Sequence, residues 1–269
     1  MAIERVTAGR AARILGVAAG VAVAVALLTP LAGPASISLP KAFGGVWPDA
    51  QMFFGVRWPR TLLAMLCGGA LGIAGALFQS LLRDPLATPY TLGVSSGASL
   101  GAVLAICLGM HSVAGLPALW VSALAGAGAV LAVVLMVAAE GRRMSSFTLL
   151  LAGVTINSIV TSLIMLLHNL ASVGQSFAIV HWLMGNIDPV DGGTLAVLAL
   201  LILPVSFGLC LLARQWNLLA VGEEWAASRG ASPQVLLVGG YIAGSVLTAA
   251  VTAVTGPIGF VGLIVPHAL

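Results

Sequence analysis

The stretch Thr61-Leu62-Leu63-Ala64-Met65-Leu66-Cys67-Gly68-Gly69-Ala70-Leu71-Gly72-Ile73-Ala74-Gly75-Ala76-Leu77-Phe78-Gln79-Ser80-Leu81-Leu82 contains no charged residue. A bilayer core takes about 20 apolar helical residues, so this run reads as a membrane span. Comparable charge-free runs lie at Ile14–Ala32, Leu92–Met110, Ala118–Ala139, Phe147–Leu167, Thr194–Ala213 and Val235–Val254. An eighth, Gly256–Leu269, is shorter than a normal span and still apolar at its last residue. In lipid a backbone must satisfy its own polar groups, which for such runs means helices. The fold class is all-α, a polytopic transmembrane helix bundle forming a single domain over residues 1–269.

Composition agrees. Of 269 residues 60% are apolar and 7% charged, where a soluble domain carries about a quarter charged; mean hydropathy is +1.12. A soluble enzyme is excluded. The single lysine, Lys41, has no glycine-rich phosphate loop around it, so the chain holds no Walker-type ATP site. No basic stripe marks a nucleic-acid partner. Cys67, Cys107 and Cys210 stand singly in apolar runs, which suggests neither a disulfide framework nor a metal site.

The flanks set the orientation. With the N-terminus cytoplasmic, Arg5, Arg10, Arg13, Arg83, Arg142, Arg143, Arg214 and Arg229 lie inside, and only Lys41, Arg57 and Arg60 outside; that is the positive-inside pattern. The first run follows a basic start and precedes a loosely cleavage-like Leu31–Ala35. Its length favours a retained helix over a signal peptide. Glycines recur four apart at Gly16/Gly20, Gly68/Gly72, Gly93/Gly97/Gly101 and Gly240/Gly244, a spacing that lets helix backbones approach closely.

Four segments carry functional information. Asp84 to Gly97 joins two spans through Pro85, Pro89 and a Gly/Ser cluster, so it is an irregular elbow rather than a continuous helix. Within it Gly93-Val94-Ser95-Ser96-Gly97 has the G-x-S-x-G form of a hydrolase nucleophile. A nucleophilic serine needs a base within reach; His111, His168 and His181 fall at outer positions, and His267 follows a proline near the chain's end. Thr155, Ser158 and Ser162, with Asn157 and Thr161 beside them, form one polar stripe, and Ser245, Thr248, Thr252 and Thr255 another. Such stripes either glue helices together or line a water-filled route. No complete span holds the ionisable residue that an ion-coupled secondary transporter places there. The segment Leu218–Gly230, with Glu223 and Glu224 before Trp225 and Arg229, reads as a short exposed helix, an ordinary loop helix or a docking surface. Outside, Arg57-Trp58-Pro59-Arg60 either anchors a span at the interface or pairs with carboxylates of another protein.

Together, Arg57–Leu62, the Asp84–Ala98 elbow, Gly222-Glu223-Glu224 and Gly256-Pro257-Ile258-Gly259-Phe260-Val261-Gly262-Leu263-Ile264-Val265-Pro266-His267 resemble the permease subunits of bacterial ABC importers for iron–siderophore complexes, haem and vitamin B12. The resemblance covers the chain from its first span onward. It implies ten helices, of which this chain would supply about eight. It also implies a homodimer in the inner membrane, resting on two cytoplasmic ATP-binding subunits that use ATP and magnesium. A periplasmic or lipid-anchored binding protein would deliver the cargo, most commonly a ferric siderophore. The permease itself would have no catalytic residue, metal or cofactor. By position, Gly222, Glu223, Glu224, Trp225, Arg229 and Gly230 would couple to the ATPase, and Arg57 and Arg60 would dock the binding protein. Ser95, Ser96 and the two polar stripes would line or gate the route.

The chain departs from the family pattern at Asp84 and Thr88 in the elbow and at Trp225 and Arg229 in the coupling segment. It also stops where the family continues with a basic loop and about two more spans, so the sequence reads as C-terminally truncated and, as it stands, unable to form a complete transporter.

Overall fold

The computed structural model describes residues 8–33, 35–113, 116–139 and 144–268; Arg5, Arg142 and Arg143 of the expected inner cluster lie outside them. In chain order the α-helices are α1 (Ala8–Leu28), α2 (Leu39–Phe43), α3 (Trp58–Leu82), α4 (Val94–Cys107), α5 (Ala118–Ala139), α6 (Ser146–Leu170), α7 (Val173–Leu183), α8 (Gly192–Leu211), α9 (Ala213–Val221), α10 (Glu223–Ser228), α11 (Pro233–Thr255) and α12 (Val261–Ala268). A π-helical stretch, Gln51–Arg57, runs straight into α3. Strands β1 (Ser112–Val113) and β2 (Leu116–Pro117) pair antiparallel, with Val113 opposite Leu116. Six helical stretches among the described residues are long and apolar enough to cross a membrane, so the all-α polytopic class holds.

The apolar runs and the helices differ most in two places, and the run Gly256–Leu269 is helical only from Val261. The run Leu92–Met110 contains a helix of 14 residues, about 21 Å long against a hydrocarbon core of about 30 Å. Left-handed glycines bound it, Gly93 at φ 87° and Gly109 at φ 63°, a conformation that disfavours a Cβ. The second difference is α7, whose start is a capping box: the Ser172 hydroxyl accepts from Gln175 N, and the Gln175 side chain accepts from Ser172 N.

The chain divides into two compact units, Met1–Met65 with Pro189–Leu195, and Leu66–Asp188 with Ala196–Leu269. In the first, α1 keeps its valines and leucines exposed, as a lipid-facing helix does. After it, Phe43, Phe53, Phe54 and Trp58 form an aromatic cluster with centroids 5.0–6.4 Å apart. Asp191 caps the start of α8 by accepting from Thr194 N and Thr194 Oγ1 at 3.0 and 2.6 Å, and these bonds hold its carboxyl below the usual carboxylate range.

The second unit is built around α4, which packs against α5, α6, α7 and α11. Its contact stripe is made of small residues at four-residue spacing: Val94, Ala98 and Ala102 meet Ala123 and Ala127 of α5 and Ala249 and Ala253 of α11. At the α4–α5 crossing a Cβ on Gly101 would lie 1.9 Å from the Ser122 carbonyl oxygen, and one on Gly126 would lie 2.2 Å from that of Gly97. Lipid gives apolar side chains no reason to leave it, so helix association rests on close packing, which small residues permit.

Candidate functional site

The elbow is held by side chains on every side. Asp84 Oδ1 accepts from Leu86 N at 2.9 Å, the turn an asparagine would make equally well. Thr88 and Thr91 bond one another's backbone. The two departures noted in the sequence thus supply local turn chemistry. Farther along, Tyr90 Oη accepts from Ile258 N at 2.8 Å, and Tyr241 Oη donates to the Leu92 carbonyl at 2.9 Å. The irregular backbone is therefore pinned to α11 and to the segment that follows it.

Ser95 is buried, and Ser96 Oγ donates to Gly93 O at 2.9 Å. The G-x-S-x-G segment is the first turn of α4. The one serine–histidine hydrogen bond found among the described residues joins Ser176 to His168 at 2.8 Å, elsewhere in the chain.

The two polar stripes have different surroundings. On α6, Thr155, Ser158 and Ser162 are exposed and Asn157 half-buried; Ser158 and Ser162 donate back to their own helix at Val154 O and Ser158 O. On α11, Ser245, Thr248 and Thr252 are at most 1% exposed, and Thr248 donates to Gly244 O. The α11 set therefore faces packed helices within the chain, while the α6 set lies on its surface.

Between α8 and α11 the chain makes two short helices. Helix α9 buries Trp216 and Leu219 and leaves Arg214 and Asn217 exposed. Gly222 separates it from α10, and Gly230, left-handed at φ 82°, ends the segment. On α10, Ala226 is buried, whereas Glu224, Trp225 and Arg229 are exposed. The Arg229 guanidinium stacks over the Trp225 ring at 4.8 Å, a cation–π contact. Glu223 turns the other way. Its Oε1 accepts from Arg83 Nη2 at 3.2 Å, Ser146 N at 3.3 Å and Ser146 Oγ at 3.0 Å. Clefts of about 520 and 380 Å³ flank Glu223 and Glu224, one reaching Gln234 and the other Arg83.

Arg57 and Arg60 also diverge. Arg57 Nη1 donates to Pro30 O and Leu31 O at 3.1 and 3.3 Å, and Nη2 donates to Ala35 O. Arg60 is exposed. Residues the sequence did not single out are Arg83 and Ser146 around Glu223, and Tyr90 and Tyr241 around the elbow. For Ser146 a signal existed, since a Ser-Ser pair ahead of an apolar run is a helix start. Among the described residues no three His, Cys, Asp or Glu side chains cluster as metal ligands.

Six apolar helices with an exposed, charged two-helix segment between α8 and α11 define a polytopic membrane protein. The comparisons agree and narrow it. The model of the FecCD transport family matches residues 20–269. YvrB, an uncharacterised ABC transporter permease of Bacillus subtilis, is 42% identical over 266 residues, covering 94% of this chain and 72% of its own. The vitamin B12 import permease BtuC of Shigella boydii is 35% identical, covering 90% and 73%, and the ferric enterobactin permease FepD of Escherichia coli is 37% identical, covering 87% and 70%. A solved inward-facing structure assigned to the metal-chelate type of ABC transporter superposes with a TM-score of 0.83 at 29% identity, covering 95% of this chain and 80% of that one. The chain belongs to the FecCD transport family and is an ABC transporter permease, a transport subunit.

Proposed function

We propose that this chain is the membrane-spanning subunit of an importer for a metal chelate, with a ferric siderophore as its cargo. It sits in the bacterial inner membrane with its N-terminus in the cytoplasm. Two copies pair, two cytoplasmic ATP-binding subunits dock below them, and a periplasmic or lipid-anchored binding protein delivers the chelate from outside. ATP and magnesium are used by the ATPase; this chain holds no cofactor. The observation that carries the reading is α10, whose exposed Glu224, Trp225 and neighbouring Arg229 form a charged surface while half-buried Glu223 bonds to Arg83 after α3 and to Ser146 at the start of α6. A partner that moves this helix moves the membrane helices with it. Arg60, exposed beside the start of α3, is a docking point for carboxylates of the binding protein. The elbow with Ser95 and Ser96, and the α6 stripe, gate and line the route. Import then follows alternating access, with the route open to one side at a time.

Haem and vitamin B12 are the competing cargoes, because permeases named for hemin and for vitamin B12 are also among the relatives. The test is uptake by cells in which the gene is deleted and then restored, each supplied with labelled ferric siderophore, haem or cobalamin. Siderophore uptake that returns with the gene, and disappears again when the partner ATPase is inactivated, supports the reading. Restored uptake of haem or cobalamin alone would move the cargo assignment. Uptake indifferent to the ATPase would end the ABC mechanism for this chain.

A further inference from the structure

We infer that Glu223 is a positioning residue: it latches α10 to the ends of α3 and α6 and acts on its own chain, not on the ATPase. The inference rests on the coupling role proposed above and says what that segment does on its inner side.

Three donors from two distant parts of the chain converge on one carboxylate oxygen. Arg83 follows the last turn of α3 and is held in the left-handed region at φ 54°. Its guanidinium reaches Glu223 at 3.2 Å. Ser146 is the first residue of α6, so its N–H has no acceptor within that helix, and Glu223 supplies one at 3.3 Å. A carboxylate there also meets the positive end of the α6 dipole. Glu224, Trp225 and Arg229 remain exposed, so the helix has an inner, latched side and an outer side free for a partner.

The Ser146 hydroxyl makes the latch two-positioned. It lies 3.0 Å from Glu223 Oε1 and 2.8 Å from the Leu81 carbonyl oxygen, and it has one proton to give. Donated to Glu223, that proton joins α6 to α10. Donated to Leu81, it joins α6 to the last turn of α3. When α10 is pulled away, the Ser146 hydroxyl keeps a partner at Leu81 O, and of that residue's two donors only the Ser146 N–H loses its acceptor. The movement of α10 is thereby converted into a choice of partner at the start of α6, the helix that carries the exposed polar stripe.

The experiment compares Glu223→Gln, Arg83→Gln and the double variant with Trp225→Ala on the outer face. Each is expressed with its ATPase, and three quantities are read: ATPase co-purified, ATP hydrolysed and chelate taken up. For both single latch variants, ATPase recovery is expected to stay at the wild-type level while uptake per ATP falls about 2- to 5-fold, the size of a partly exposed ion pair. The double variant should fall no further than either single one, because the two residues form one interaction. Trp225→Ala should reduce ATPase recovery instead. Loss of ATPase from Glu223→Gln comparable to that from Trp225→Ala would overturn the latch, and so would a double variant whose loss is the product of the single losses. A wild-type chain that recovers no ATPase would overturn the coupling role itself, and the latch with it.

Discussion

Arg57 and Arg60 are three residues apart and do different work. In the sequence both are outside arginines beside a span, equally suited to a partner's carboxylates. In the fold the Arg57 guanidinium is spent on the carbonyls of Pro30, Leu31 and Ala35, more than twenty residues back. The fork of Arg fits several carbonyls at once, which a lysine ammonium on a flexible stem does not reproduce. Gly33 completes the arrangement, since a Cβ there would lie 2.7 Å from Arg57 Cζ. Arg57→Ala is expected to destabilise the protein by about 1–3 kcal/mol, with Arg57→Lys recovering only part, as read by thermal unfolding in detergent. Arg60→Ala should leave stability unchanged and weaken binding-protein docking. If Arg57→Ala unfolds like the wild type yet loses docking, Arg57 belongs to the partner after all. No spacing rule relates residue 57 to residues 30–35, so this role was not legible in the sequence, whereas the exposure of Arg60 followed from its place beside the span.

At the scale of elements, the interior is set by glycine and alanine, not by large side chains. Helix α4 is buried along most of its length although it is short, and it fits because Gly97, Gly101 and Gly126 bring it against α5. Gly101→Ala should therefore destabilise by about 1–3 kcal/mol, since the helices must part to admit a methyl group. Gly128→Ala, two residues beyond the contact and with open space around it, should be neutral or stabilise by up to about 1 kcal/mol through helix propensity. Unfolding midpoints of the two variants check this, and equal effects would mean that the crossing is looser than the geometry requires. The four-residue glycine spacing was readable in advance, and so was a helix at the acidic pair, although Leu218–Val221, read as part of it, closes α9 instead and buries Leu219. The length of α4 was not. Hydropathy counts apolar residues whether or not they are helical, and Leu92-Gly93 and Leu108-Gly109 are apolar but turn the chain. Helix α7 was overlooked for the opposite reason: its apolar run is short, and only the Ser172–Gln175 capping pair announces it.

For the whole molecule the question is where water runs. The two polar stripes looked alike as sequence, each a set of hydroxyls at helical spacing, and a hydroxyl that bonds its own helix serves lipid, protein or water equally well. What separates them is which face other helices cover. The α11 face is closed by α4 and α5, and the α6 face is left on the surface of the chain. A route between two copies would run along α6. With Cys67, Cys107 and Cys210 replaced by alanine, a single cysteine at Ser158 or Ser162 is expected to react with a membrane-impermeant thiol reagent, because reaction needs a thiolate in water. Its rate should change when the assembled transporter is given ATP. Cysteines at Ser245 and Thr248 should stay silent in either state. A silent Ser158→Cys would mean that this face meets lipid, where no thiolate forms, and a reactive Thr248→Cys would shift the route to α11. The reagent reads water directly, so it decides between two faces that composition and periodicity describe in the same terms.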